Sequence, residues 1–288
     1  MSAATLSIVL ILISAVSHAL VGALMKRSND KLMLRGILGA TSFIIALPIA
    51  LTLPLPPWEV WQIMILGVSV HFIYQFAQAA AFTKGDMSVV YPIMRGFAPA
   101  LAAFFAFLFL KEGLTLIEVL GLAIVVTALI GFGWPQKIKI DGAKSALLFA
   151  LFCGLLTAIY TVIDAYGMRL APHKFAFIAW FFVMEGFGIS VMVGVLKREN
   201  LKERIALDLK GGIMAGLLGL ITYTTALYAF AIAPIAGLAA LRETSVIFGA
   251  ILAALWLKES FGLRRVILAI ILAMGLILMH TTSHGKQL

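Results

Sequence analysis

An arginine sits a few residues inside a long apolar run in this chain, and it does so twice, as Arg95 and Arg242. Both runs close on the same tripeptide, Leu110-Lys111-Glu112 and Leu257-Lys258-Glu259. A cation inside a membrane-length helix costs about 3 kcal/mol on insertion scales, so such a residue faces a partner or a polar cavity rather than lipid. Its recurrence at one place in both halves marks an internal duplication whose centre handles something polar.

The runs are of membrane length. Of 288 residues, 62% are hydrophobic and 12% charged, where a soluble domain has about half and about a quarter. The chain is therefore read as an all-α integral membrane protein. A helix crosses the hydrocarbon in about 20 apolar residues. On that scale spans fall at 5–25, 33–53, 60–82, 88–110, 114–134, 145–168, 174–196, 211–232, 235–257 and 264–281. No basic region precedes the first run, which is too long for a signal-peptide core and reads as a retained helix. The connections are short and none can fold as a separate domain. The longest hydrophilic stretch, Lys197 to Lys210, spaces Leu201, Ile205 and Leu209 by one turn and is expected to lie on the membrane surface. The single cysteine, Cys153, excludes an internal disulfide and reads as a small core residue.

The net charge of +9 does not call for nucleic acid, because the basic residues crowd the ends of the apolar segments. Most of the Lys and Arg outside the spans lie in the connections after spans 1, 3, 5, 7 and 9, among them Lys26, Arg27, Lys31, Arg35, Lys84, Lys197, Arg204 and Lys258. The other side holds Lys111, Arg169, Lys174 and Lys286. The positive-inside rule then puts the first set in the cytoplasm and both termini outside a cytoplasmic membrane.

Shifted by 147 residues, 95–112 matches 242–259 at seven of eighteen positions, including Arg95/Arg242, Lys111/Lys258 and Glu112/Glu259. The halves are drawn at 1–137 and 138–288. Five spans per half is an odd number, so the halves insert upside down relative to each other. Such an inverted repeat, with its site near the midplane, is a common plan for secondary transporters. These features together resemble the drug/metabolite transporter superfamily, and within it the EamA-type ten-helix carriers. The fourth and ninth spans carry the resemblance, in Phe107-Leu108-Phe109-Leu110-Lys111-Glu112 and Ala254-Leu255-Trp256-Leu257-Lys258-Glu259. The resemblance implies a single-chain carrier with a central cavity between the halves, alternating access, and export of small metabolites.

Arg95 and Arg242 enter from opposite leaflets to similar depth, so both are expected to reach one cavity. Arginine's planar fork suits a carboxylate, phosphate or phosphonate. Pro92 and Gly96 bracket Arg95, and a turn near Pro92 is expected to leave carbonyls free. The competing reading has each arginine paired with a buried carboxylate, Glu243 or Glu185, that fixes helix packing. Glu243, Glu185 and Asp164 are candidates for proton coupling, for binding an amine or for ion pairs; Asp164 also fits an interfacial position. His18 and His71 stand mid-span and titrate near neutral pH, although a lone polar residue in a span more often bonds a neighbouring helix. Tyr74, Gln75 and Gln78 share a face with His71, Tyr91 lies one turn from Arg95, and Tyr160, Thr222, Tyr223, Thr224 and Tyr228 form a polar set in the second half. Lys111-Glu112 and Lys258-Glu259 read as caps and interfacial anchors. Gly22, Gly36, Gly39, Gly121 and Gly216 read as close helix contacts.

No phosphate-binding loop, zinc-helix motif or nucleophile elbow occurs. The expectation is a carrier without cofactor or metal, not an enzyme, acting as a monomer or homodimer. Its partners are the bilayer and a small anionic or zwitterionic substrate. The alternative carrier expels apolar or cationic compounds and keeps its arginines for structure. A membrane enzyme or a non-transporting scaffold stands further off.

Overall fold

Many of the large apolar side chains of this molecule face outward. Phe109 is 71% exposed and Leu255 78%, whereas Ala and Ser recur throughout the buried positions. That inversion is what lipid asks of a helix bundle: apolar surface gains nothing by leaving lipid, so small residues let helices approach and pack. A computed structural model of the chain describes residues 2–84, 87–133, 143–256 and 263–281. Among these the fold is all helical. The helices are α1 (Ala3–Arg27), α2 (Lys31–Thr52), α3 (Trp58–Lys84), α4 (Met87–Leu110), α5 (Leu116–Gly133), α6 (Ala143–Leu170), α7 (Lys174–Leu196), α8 (Leu201–Ile232), α9 (Ile235–Arg242), α10 (Ser245–Trp256) and α11 (Leu263–Thr281). Seven are long and apolar enough to cross a membrane. α5, α11 and the α9–α10 pair make the remaining three spans.

The halves are interleaved rather than side by side. α1 packs on α8 and, as its mirror, α3 packs on α6; α4 packs on α6, and α1 on α9 and α10; α2 packs on α7, and α5 on α11. This pairing is what a pseudo-twofold axis through α2–α7 and α5–α11 produces. Glycines permit both axial contacts. A Cβ on Gly186 would lie 2.6 Å from the Gly39 carbonyl oxygen, and one on Gly121 would lie 2.8 Å from that of Gly275. Gly39 and Gly186 are related by the offset that relates Arg95 to Arg242. Gly22 differs from the expectation: nothing lies within 4 Å of its place for a Cβ.

Three elements depart from the sequence reading. The stretch expected on the membrane surface is, from Leu201 onward, the start of α8, a helix of 32 residues. Leu201 and Ile205 pack against a cluster of Met33, Ile37, Ile189 and Val193, so protein takes the apolar face that lipid was expected to cover. The ninth span is broken. α9 ends at Arg242 and α10 starts at Ser245, and the amides of Glu243, Thr244 and Val246 bond the third residue back at 3.0, 3.1 and 3.0 Å, a tight 3₁₀ turn. α4, by contrast, runs unbroken through Pro92, where a proline costs the ladder one bond and the surrounding turns hold.

The repeated Leu-Lys-Glu has a local logic. Lys111 takes the left-handed conformation, φ 57°, and the Glu112 amide closes on the Ala106 carbonyl at 3.2 Å. This ends α4 as a glycine usually would. Glu112 then caps a helix of the other half: one carboxylate oxygen accepts the Ile235 amide at 2.7 Å, and the other pairs with Arg169 at 2.6 Å. Arg169 in turn donates to the carbonyls of Phe230 and Ala233 at 3.1 and 2.9 Å. Its counterpart Glu259 lies outside the described residues.

On the opposite face Asp30 caps α2 through the amides of Leu32 and Met33 and pairs with Lys197 at 3.0 Å and Arg204 at 2.8 Å. Burial pushes its carboxyl up, but the bonds from Lys197, the Met33 amide and Arg204 outweigh it and leave it below the usual value of 3.8. A depressed carboxyl stabilises the fold above its unfolded value and loses that contribution as pH falls through the folded value. Asp30→Ala is therefore expected to lower thermal stability at neutral pH by about 1 kcal/mol, the size of a lost N-cap. The gap to wild type should close as detergent-solubilised protein is melted at pH values falling below 3.8.

Candidate functional site

A cavity of about 200 Å³ lies at the centre, walled by helices of both halves. One wall is cationic. Arg95 on α4 pairs with Glu243 at 3.1 Å and also bonds the Nε2 atom of His18 on α1, so that ring nitrogen is the acceptor. The remaining Glu243 oxygen, Oε2, is buried without a partner among the described residues. Arg242 is 6% exposed, and among the described residues it forms no ion pair; its Nε is buried without a hydrogen bond. Its guanidinium carbon stands 5.7 Å from the centre of the Tyr223 ring and lines the cavity.

The facing wall is aromatic. The His71 ring stacks on Tyr160 at 3.9 Å and meets Phe181 at 5.3 Å and Tyr223 at 5.4 Å, both edge-on. Tyr74 meets Tyr160 at 5.6 Å. Behind this wall Asp164 is 1% exposed. It is held by His71 at 2.9 Å and by the Tyr223 hydroxyl, which donates to it. Asp164 is thus no interfacial residue; a tyrosine and a histidine supply the polar partners that water would supply at a membrane surface. Glu185 on α7 lines the cavity and accepts one bond, from Gln75 at 3.0 Å. The expected pairing of Glu185 with an arginine is absent among the described residues.

Of the residues singled out by sequence, His18, His71, Tyr74, Gln78, Arg95, Tyr160, Glu185, Thr222, Tyr223 and Arg242 line this one cavity. Gln75, Glu243 and Asp164 do not; each stands behind a lining residue and bonds it. Tyr228 turns away and stacks on Phe175 at 5.7 Å. The side chain of Tyr91 lies outside the described residues. Lys31 and Arg35 also line the cavity, although by sequence they were counted only as connection charges. α2 begins at Lys31, so Arg35 is already one turn inside the helix, where it donates to Gln78. Its place just before the apolar run was the available signal. Phe181 and Phe182 line the cavity too, and nothing in a phenylalanine pair within an apolar span distinguishes it from packing.

The cavity is one-sided. It extends from Arg242 and His18 to Met25 and Lys31, at the end of α1 and the start of α2. Toward the other face a cluster including Ile11, Ala102, Ala106, Phe230, Ile235 and Leu238 packs, leaving a small void of about 10 Å³ beside Arg95, Arg242 and Glu243.

The EamA-like transporter family matches residues 5–134 and 144–281, almost the whole chain in two stretches. The chain belongs to the EamA-like transporter family. It is accordingly a membrane transporter of the drug/metabolite type. Among solved structures it is similar to one described only as "Crystal structure of protein", with a TM-score of 0.75 and 14% identity over 100% of this chain and 99% of that one, a likeness of fold. No curated protein matches it.

In this EamA-like transporter the Arg95–Glu243 pair joins the first half to the second inside the bundle. Breaking a buried pair by removing one partner costs about 3–5 kcal/mol, because the other charge is left uncompensated, whereas removing both is milder. Arg95→Leu and Glu243→Leu should each lose stability on that scale, and the double variant should lose less than either single one. Thermal unfolding of the three variants in detergent forms the cycle that checks it.

Proposed function

We propose that this EamA-like transporter is a secondary carrier that exports a small anionic or zwitterionic metabolite across the cytoplasmic membrane by alternating access. Arg242 carries the reading. A guanidinium this buried needs a counter-charge or water, and on the cavity side the group has a ring face and open space. A carboxylate or phosphonate entering there meets two parallel N–H donors, the geometry that makes arginine selective for such groups. The volume lies below the range of about 300–1,000 Å³ typical of drug-sized ligands, which points to a small metabolite.

Orientation follows from charge. The open face is where α1 ends and α2 begins, and the connections on that face hold most of the Lys and Arg. Positive-inside makes it cytoplasmic, with both termini outside, so the cavity of the described state faces the cytoplasm. Glu243, Glu185 and Asp164 are the carboxyl groups within reach for proton coupling. One chain already supplies both halves of the cavity, which favours a working monomer. The aromatic wall and Glu185 are the features that favour the alternative substrate class of apolar or cationic compounds.

Flux from proteoliposomes decides between the two. With a panel of labelled amino acids and short carboxylates, Arg242→Gln should slow wild-type transport by about tenfold or more, the scale of one charge-assisted bond, and Arg242→Lys should recover part of it. If Arg242→Gln folds and moves every carboxylate at the wild-type rate, the anion reading is lost and the cationic alternative takes its place.

A further inference from the structure

The cavity holds a second charged group that forms no ion pair among the described residues, although Arg35 and His71 lie near enough to attract it through space. Glu185 lines it on α7, and among the described residues its carboxylate has one hydrogen bond, from the neutral amide of Gln75, and no ion pair. Arg35 on α2, which lines the same cavity, gives its hydrogen bond to Gln78 instead. A lone carboxylate facing a membrane-embedded cavity poses the same electrostatic problem as Arg242, with the sign reversed. The two groups do not solve it for each other, since no ion pair joins them.

What separates them is a ladder of rings. The guanidinium of Arg242 stands 5.7 Å from the Tyr223 ring. Tyr223 stacks on Phe181 at 5.2 Å. Phe181 and Glu185 are then four apart on α7, about one turn, and so project from the same face. The poles therefore stand at the two ends of an apolar wall.

We infer that Glu185 is the ammonium-binding pole of this site and that the ligand is dipolar end to end, with its carboxylate at Arg242, its ammonium at Glu185 and a short apolar body along Tyr223 and Phe181. The inference rests on the carrier reading above and narrows its substrate class. An ammonium at Glu185 also lies beside aromatic faces that attract cations. A ligand bearing a single charge leaves one pole bare, and a ligand bearing both charges on one carbon reaches one pole only.

A matched set of probes tests this: ε-aminocaproate, its isomer norleucine, caproate and hexylamine, with γ-aminobutyrate as a shorter dipole. Ligands that prefer the folded protein raise its melting temperature by an amount that grows with the logarithm of their concentration relative to Kd. In purified wild-type protein one of the two terminal dipoles should stabilise at concentrations about tenfold or more below those needed by norleucine, caproate or hexylamine. Glu185→Gln should reduce that ligand to the level of caproate, Arg242→Gln should reduce it to the level of hexylamine, and Glu185→Asp should restore part of the preference. Size-exclusion profiles and melting temperatures without ligand establish that each variant folds, and the Asp variant serves if the Gln variant does not. The inference is overturned if caproate or norleucine matches the dipoles in wild type, or if Glu185→Gln keeps their advantage. In that case caproate binding that still depends on Arg242 leaves the anion-carrier reading standing. If none of the carboxylates stabilises wild type and Arg242→Gln changes nothing, both fall.

Discussion

Two guanidinium groups share the middle of a low-dielectric bundle, and among the described residues only one of them is held in an ion pair. Arg95 is held by Glu243 and His18. Arg242, the next residue back along the chain from Glu243, has no such partner among the described residues. Neighbours on a helix point about 100° apart, so Glu243 can turn toward Arg95 while Arg242 turns toward the cavity. The 3₁₀ turn that splits the ninth span falls at this place. The broken helix, the buried pair and the cation that lines the cavity are thus one arrangement.

Around that centre the bundle is held by contact rather than by the hydrophobic effect, since its exterior already faces lipid. Interleaving is the consequence. Each half alone would present alanine and glycine faces that pack poorly against lipid tails, and the partner half fills them. The Gly39–Gly186 and Gly121–Gly275 approaches set how closely the axis helices sit. They also make those positions intolerant of any side chain. The cavity occupies the space these axial contacts leave between α2–α7 on one side and the α4–α9 crossing on the other.

Much of this was legible in residue order because its signals are large. Spans follow from hydropathy, and the duplication from Arg95/Arg242 and the shared Lys-Glu. The Arg95–Glu243 pairing across the halves was foreseeable because few buried carboxylates exist to choose from. What was not legible depends on neighbours. The split at Glu243–Thr244 falls in the polar stretch Arg242-Glu243-Thr244-Ser245, with no proline or glycine to mark a break. Leu201 and Ile205 carry the pattern of a surface-lying helix whether lipid or Met33 and Val193 cover them. Asp164 read equally as an ion-pair candidate and as an interfacial residue, and only the meeting of α3, α6 and α8 gives it His71 and Tyr223. Arg35 was read as a connection charge because one turn of depth lies within the uncertainty of a span boundary.

The Glu112 node behaves as a latch on the sealed face. A single carboxylate there terminates one helix at its amide end, neutralises Arg169, and through Arg169 ties down the carbonyls that finish α8. None of these bonds can slip alone, because loosening the carboxylate strands a cation and a helix start together. Losing that one carboxylate would therefore release the end of α8 and the start of α9 together.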